Sequence, residues 1–441
     1  MIVDSKIISK VKRIVSDDLV KVFSLNAVST FIRMLTAFVS VKIVAVKIGP
    51  IGIALLGQLN NFSTIFLSLS TGGINAGITK YVARYSQSKR RYSLFLSTGL
   101  WITLTLSVIC GIVLMLGSSY FSNKILKTES YYPVFIVFGV TLILYAFNAI
   151  LVATINGFKE FKKYTIVNIA GSIVGLVFSI VLVYSFGIYG ALIGAVTYQS
   201  VVFIVTLLLV VRSPWFDRKF FFSKFSKLCA LRLSHYSLMA LVSAIVVPLS
   251  QLLVRGHINK STGSMVDAGL WEGMNRISGM YLMVITQSLS IYFLPKLSQL
   301  KNDQEIRKEI VHVYKLIIPF LVVFFLSIFA FRNIIIHILF DNKFVGMQNL
   351  FAFQLIGDFF KITSWILAYQ LIARAMTKLF IITEVVSSLG FVLISTFFVN
   401  SYGNVGATIG YAVNYFLYLV LMVVLFRKML FKTNVQTPDK V

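Results

Sequence analysis

A chain of 441 residues with 58% hydrophobic and only 13% charged side chains is not an ordinary soluble domain, in which about a quarter of the residues are charged. The formal charge of +26 sits between apolar runs instead of forming one stripe, which points to a positive-inside membrane topology and away from nucleic acid. Those runs reach about 20 residues, the length of a bilayer-crossing helix, and the alternation of a membrane barrel is absent.

Residues 1–20 read as a basic cytoplasmic segment without the apolar core of a cleavable signal. Ile2, Ile7, Ile8, Val11, Ile14 and Val15 alternate there with Lys6, Lys10, Lys12 and Arg13. A surface-lying amphipathic helix and a short disordered arm both fit that pattern. Twelve transmembrane spans follow, near 21–47, 53–79, 93–118, 132–157, 163–186, 189–211, 234–255, 268–294, 313–331, 346–373, 378–400 and 405–426. Spans two and eight are polar enough for hydropathy alone to miss them. With the N-terminus inside, the cytoplasmic segments hold thirty Lys and Arg against seven on the other side, in strict alternation. That bias supports twelve spans in an inner membrane with both termini cytoplasmic.

The chain also repeats itself. Ser185-Phe186-Gly187-Ile188-Tyr189-Gly190-Ala191-Leu192-Ile193-Gly194 is echoed by Ser401-Tyr402-Gly403-Asn404-Val405-Gly406-Ala407-Thr408-Ile409-Gly410, an offset of 216, and Lys162 matches Lys378 at the same offset. Gly52-Ile53 matches Gly269-Leu270. The expected organisation is therefore an all-α integral membrane protein of two six-helix bundles, 21–211 and 233–428, related by a parallel pseudo-two-fold repeat. A cytoplasmic linker, 212–232, joins the bundles, and 429–441 is a cytoplasmic tail. Gly190/Gly194, Gly406/Gly410 and Gly171/Gly175 each give the G-x-x-x-G spacing that lets helices approach closely.

Four cations fall within spans: Arg33, Lys42, Arg276 and Lys361. Three carboxylates do too: Glu272, Asp358 and Glu384. A charge at mid-membrane costs roughly 2.5–3.5 kcal/mol, so such a group faces a partner or a hydrated cavity. Glu272/Arg276 at i,i+4 and Asp358/Lys361 at i,i+3 are spaced to pair along one helix. Arg33 has no local carboxylate and stands on a small or polar stripe with Asn26, Thr30, Ala37 and Ser40. It leads the candidates for binding an anion, followed by Arg276 and Lys361. Lys42, among Leu35, Phe38 and Ala45, is placed to snorkel but is also a cation candidate. Glu384 suits either a cross-helix salt bridge or a coupling group. Gln58, Asn60, Asn61, Ser63, Thr64 and Asn75 suit sugar hydroxyls or interhelical hydrogen bonds, and Trp271, Tyr281 and Trp365 suit sugar stacking or core packing. Pro248 interrupts span seven and is a hinge candidate, with a static kink as the alternative.

Enzyme signatures are absent: there is no P-loop, no H-E-x-x-H and no C-x-x-C. Cys110, Cys229 and four scattered histidines suggest neither a disulfide nor a metal site. No cofactor is expected.

Several segments carry a family resemblance: Gly49-Pro50-Ile51-Gly52, Thr79-Lys80-Tyr81-Val82-Ala83, Tyr292-Phe293-Leu294-Pro295-Lys296-Leu297-Ser298 and Phe353-Gln354-Leu355-Ile356-Gly357-Asp358-Phe359-Phe360-Lys361. With twelve spans in two halves, the chain over residues 20–428 resembles the bacterial O-antigen and enterobacterial common antigen flippases of the polysaccharide transporter family. That family lies in the superfamily that includes the multidrug-extruding MATE exporters. The resemblance implies a MATE-like fold and an undecaprenyl-diphosphate-linked oligosaccharide carried from the cytoplasmic to the periplasmic leaflet. It also implies alternating access around a cationic cavity holding Arg33, Lys42, Arg276 and Lys361, with Asp358 and Glu384 beside them. Membrane lipid, a polysaccharide polymerase and a chain-length regulator are the expected partners. An O-antigen repeat unit is the expected substrate, and lipid III of common antigen is the alternative. A drug or ion exporter of the same fold would need more acidic groups, and a membrane polymerase or ligase a larger periplasmic loop.

Overall fold

A computed structural model describes residues 18–217, 224–300 and 302–431. The basic segment before residue 18 and the end of the tail lie outside the described residues, as does part of the linker. Asn26 lies where only the backbone is described.

Every regular element among the described residues is helical. In chain order they are α1 (Asp18–Thr71), α2 (Asn75–Tyr85), α3 (Lys89–Leu116), α4 (Ser118–Leu126), α5 (Tyr132–Gly157) and α6 (Phe161–Val211), then α7 (Lys227–Thr262), α8 (Met265–Ser288), α9 (Leu294–Gln299), α10 (Asp303–Ala330), α11 (Arg332–Leu339), α12 (Phe351–Ala373), α13 (Thr377–Leu425) and α14 (Arg427–Phe431). The expected spans fall on these helices, although span two (53–79) divides between α1 and α2 and span eight (268–294) runs past the end of α8. Among the described residues eight helices are long and apolar enough to cross a membrane, and α8 is not one of them. It carries span eight, whose polar residues lower its hydropathy as expected.

Three of the eight hold two spans each. A straight helix of 51 residues would be about 76 Å long, far more than a bilayer needs. Instead α1, α6 and α13 break at Gly49, Gly187 and Gly403, with φ of 65°, 58° and 60°. Together with their ψ values this is a corner of backbone space that side chains resist. The second helix of α6 returns beside the first. A methyl group at Gly190 would lie 1.8 Å from the Leu182 carbonyl oxygen, and one at Gly175 would lie 3.2 Å from Tyr198. In α13 a methyl group at Gly406 would lie 2.1 Å from the Phe398 carbonyl oxygen, and one at Gly410 would lie 2.5 Å from Ser395 Cα, fifteen residues away in sequence. The G-x-x-x-G pairs thus serve packing within a hairpin, and one glycine makes each reversal.

The repeat extends to hydrogen bonds. Lys159 and Ala375, 216 apart, both take positive φ before α6 and α13. Around Lys159, Phe158 donates to Thr154, Lys159 to Asn156, Glu160 to Ile155 and Phe161 to Lys159; around Ala375, Arg374 donates to Gln370, Ala375 to Ile372, Met376 to Leu371 and Thr377 to Ala375. Every donor and acceptor is shifted by 216.

By packing, the chain forms two units. The first runs to Leu252 and includes Leu339–Asp341; the second holds Leu253–Ile338 and continues from Asn342. In the first, Ile74, Ile78, Val82, Phe95 and Leu233 share a core. In the second, Phe293, Leu297, Ile310, Ile366 and Met422 do.

Gly403→Ala should destabilise the protein by about 1–3 kcal/mol, through strain at positive φ. The measurement is the thermal unfolding midpoint in detergent, and an unchanged midpoint would refute the single-glycine reversal.

Candidate functional site

The predicted charges of the second unit fall into two clusters, both anchored on α8. At about 100° per residue, Glu272 and Arg276 leave one side of this helix, and Ser278 and Tyr281 leave another. The polarity that hides α8 from a hydropathy scan is thus the polarity of two separate ionic networks.

The first network confirms one expected pair and enlarges it. Arg276 donates from Nε to Glu272 Oε1 at 3.3 Å. The other carboxylate oxygen, Oε2, accepts from Arg255 on α7. Arg255 side-chain exposure is 2%, Glu272 10% and Arg276 19%. The Arg255 guanidinium also lies over the Trp271 ring, 5.4 Å from its centroid. One carboxylate is therefore shared by two guanidinium groups, and the group carries a net single positive charge. Trp271 is fully buried, which assigns it to packing and removes it as an accessible sugar platform.

Sequence reasoning missed Arg255 because span seven was expected to end there. Helix α7 instead continues two turns to Thr262, so Arg255 belongs to the helix interior and not to a periplasmic loop. The available signal was the absence of any helix-stopping residue between Arg255 and Gly263 other than Gly256, which helices tolerate.

The second network corrects an expected pair. Asp358 and Lys361 stand one turn apart on α12, but no ion pair joins them among the described residues. Asp358 is completely buried and accepts three hydroxyl hydrogen bonds. Ser278 donates to Oδ2 at 2.7 Å, Tyr281 donates to the same oxygen, and Tyr411 of α13 donates to Oδ1 at 2.7 Å. Gly357 makes the last contact possible: a methyl group there would lie 2.3 Å from the Tyr411 ring. Lys361 donates to the hydroxyl of Tyr411 at 3.1 Å. Its ammonium stands 5.0, 5.3 and 4.9 Å from the ring centroids of Trp365, Tyr411 and Tyr415. Aromatic faces stabilise an ammonium without neutralising it. Three tertiary hydroxyl donors thus replace the local ion pair at the carboxylate. Trp365 is only half-buried, whereas Tyr281 is buried. Glu384 is half-buried on α13.

The remaining candidates lie in the first unit. Arg33 is half-buried on α1, with no carboxylate in salt-bridge range among the described residues. On the same stripe, Ser40 donates to Ser179 of α6 at 3.2 Å. Lys42 does not snorkel freely: its ammonium donates to the Phe340 carbonyl. Of the polar residues of span two, Gln58 and Ser63 are buried while Asn60 and Thr64 are exposed. Pro248 sits inside the continuous helix α7, one turn before Leu252, where the first unit ends. The described residues contain no His, Cys, Asp and Glu grouping suited to a metal.

Residues 56–349 match the family of polysaccharide biosynthesis proteins. The chain is 27% identical over 396 residues to the lipid III flippase of Escherichia coli (strain K12), covering 90% of this chain and 95% of that protein. The lipid III flippase of Shigella flexneri matches with the same figures. Among solved structures, an inward-facing multidrug resistance MATE family transporter of the MOP superfamily superposes with a TM-score of 0.79 at 13% identity, covering 91% of this chain and 98% of that one. The lipid II flippase MurJ superposes with a TM-score of 0.71 at 12% identity, covering 92% and 87%. At such identities these structures show a shared fold, and it is the MATE-like fold that the repeat and the resemblance led us to expect.

Proposed function

The chain belongs to the polysaccharide biosynthesis protein family, and we propose that it is a flippase moving an undecaprenyl-diphosphate-linked oligosaccharide from the cytoplasmic to the periplasmic leaflet of the inner membrane. It acts by alternating access, with halves 21–211 and 233–428 as the moving bodies, Pro248 as the hinge and both termini cytoplasmic. Arg276 and Lys361 meet the diphosphate, with Arg33 and Lys42 contributing from the first half. Asp358, Glu272 and Glu384 hold or balance these cations. A polymerase and a chain-length regulator handle the product downstream.

One observation carries this reading: the buried cluster of Arg255, Glu272 and Arg276 keeps one positive charge in excess. Glu272 is divided between two arginines, and Asp358 is engaged by three hydroxyls. An excess positive charge therefore survives where two arginines share Glu272, and at helix depth it is costly unless an anion uses it. A cation and a phosphate at 4 Å attract by roughly 4 kcal/mol at an effective dielectric of 20, enough to hold a headgroup and weak enough to release it.

The sugar is the finer question. The O-antigen repeat unit expected from the sequence competes with lipid III, which the two curated relatives favour over nine-tenths of the chain. Deleting the gene in its own host and locating the lipid-linked oligosaccharide distinguishes them. Accumulation in the inner leaflet of an intermediate bearing either sugar identifies the substrate. Complementation should fall at least tenfold for Lys361→Met at normal membrane levels of the protein. Full complementation by the triple neutral variant of Arg33, Arg276 and Lys361 would remove the cationic mechanism.

A further inference from the structure

We infer that Arg255, which cannot itself reach a ligand, is the positioning residue that makes Arg276 available to a diphosphate; this rests on the flippase reading above. Glu272 and Arg276 alone form a neutral pair, and a neutral pair has little attraction for an anion. Arg255 changes this by taking one oxygen of the carboxylate. The three charges then sum to a single positive one, and geometry decides where that charge is presented.

Arg255 is sealed in. It is 1% exposed, lies over Trp271, and spends a terminal nitrogen on Glu272. Glu272 is occupied on both oxygens. Arg276 is the most accessible member at 19%, and it commits only Nε to the carboxylate. Its two terminal nitrogens have no hydrogen-bond partner among the described residues. They form the edge of the guanidinium fork that binds phosphate oxygens in pairs. The buried arginine thus supplies the charge, the carboxylate transmits it and fixes the orientation, and the outer arginine makes the contact. The Trp271 ring on α8 packs against the Arg255 guanidinium. No further carboxylate pairs with Arg276 among the described residues.

The test uses the full-length protein in nanodiscs, with farnesyl diphosphate, farnesyl monophosphate and inorganic pyrophosphate as probes and binding followed at two salt concentrations. Wild type should bind farnesyl diphosphate, the lipid-linked form, more tightly than pyrophosphate or the monophosphate. Arg255→Met should weaken that binding at least tenfold and flatten its salt dependence, while Arg255→Lys stays within about threefold of wild type. Arg255→Met combined with Glu272→Gln leaves Arg276 as the one charged member and should restore binding to within about threefold. A purely structural role for Arg255 moves neither the salt dependence nor the rescue. If Arg255→Met folds poorly, the double variant and Arg255→Lys still decide. Weak binding by both of them overturns the inference, as does wild-type affinity in Arg255→Met. Failure of wild type to bind any of the three probes overturns the flippase reading and this inference together.

Discussion

Glu272→Ala should leave little folded protein. The substitution removes the acceptor shared by Arg255 and Arg276 and leaves Arg255 charged in a site 1% exposed. Breaking a buried ion pair from one side costs about 3–5 kcal/mol, because the surviving charge stays desolvated. Here two survivors remain. That is a large share of the roughly 5–15 kcal/mol by which a domain is stable. The measurement is the monodisperse fraction after extraction, with the thermal midpoint of whatever remains. Adding Arg255→Leu should recover most of the loss, since the buried cation leaves with its partner and Arg276 retains some access to water. A stable, monodisperse Glu272→Ala protein would mean that the shared carboxylate is not what holds α7 to α8.

Asp358→Ala should have an effect of similar size by a different route. It leaves three hydroxyls, on Ser278, Tyr281 and Tyr411, without the acceptor they converge on. An orphaned buried donor costs about 1–3 kcal/mol, so the combined loss is several kcal/mol. It also releases Tyr411, through which Lys361 is held. Asp358→Asn keeps an acceptor of nearly the same shape and should cost about 1–2 kcal/mol on the same scale of hydrogen-bond energies. Comparing the two separates the hydrogen-bond role from the charge. Equal destabilisation by both variants would show that the negative charge matters and the acceptor geometry does not.

How far these features were legible depended on whether they are local. The spans followed from apolar runs, and even the low hydropathy of span eight was visible in Glu272, Asn275, Arg276 and Ser278. The i,i+4 contact of Glu272 with Arg276 was legible because one helix contains it. The fate of Asp358 was not. Lys361 is three residues away, but the hydroxyls that reach the carboxylate first come from Tyr281 and Tyr411, 77 and 53 residues away in sequence. Arg255 was hidden by a helix end placed two turns too early. The Gly187 and Gly403 reversals were visible as a repeated motif, yet a glycine in an apolar run does not announce its φ. Only the close approach of Gly190 to Leu182 and of Gly410 to Ser395 shows that the chain turns back there.

The single-glycine reversals also bear on where this protein tolerates added chain. A loop of several residues can absorb an insertion by bulging, but a turn made by one residue has no slack. One extra residue beside Gly187 or Gly403 would rotate the returning helix by about 100° and carry Gly190 or Gly410 away from the backbone it rests against. Reporter fusions and epitope tags placed at these shortest connections would therefore report on a damaged protein. The segment from Ser118 to Tyr131, with its own short helix and turn, has the room that such a probe requires.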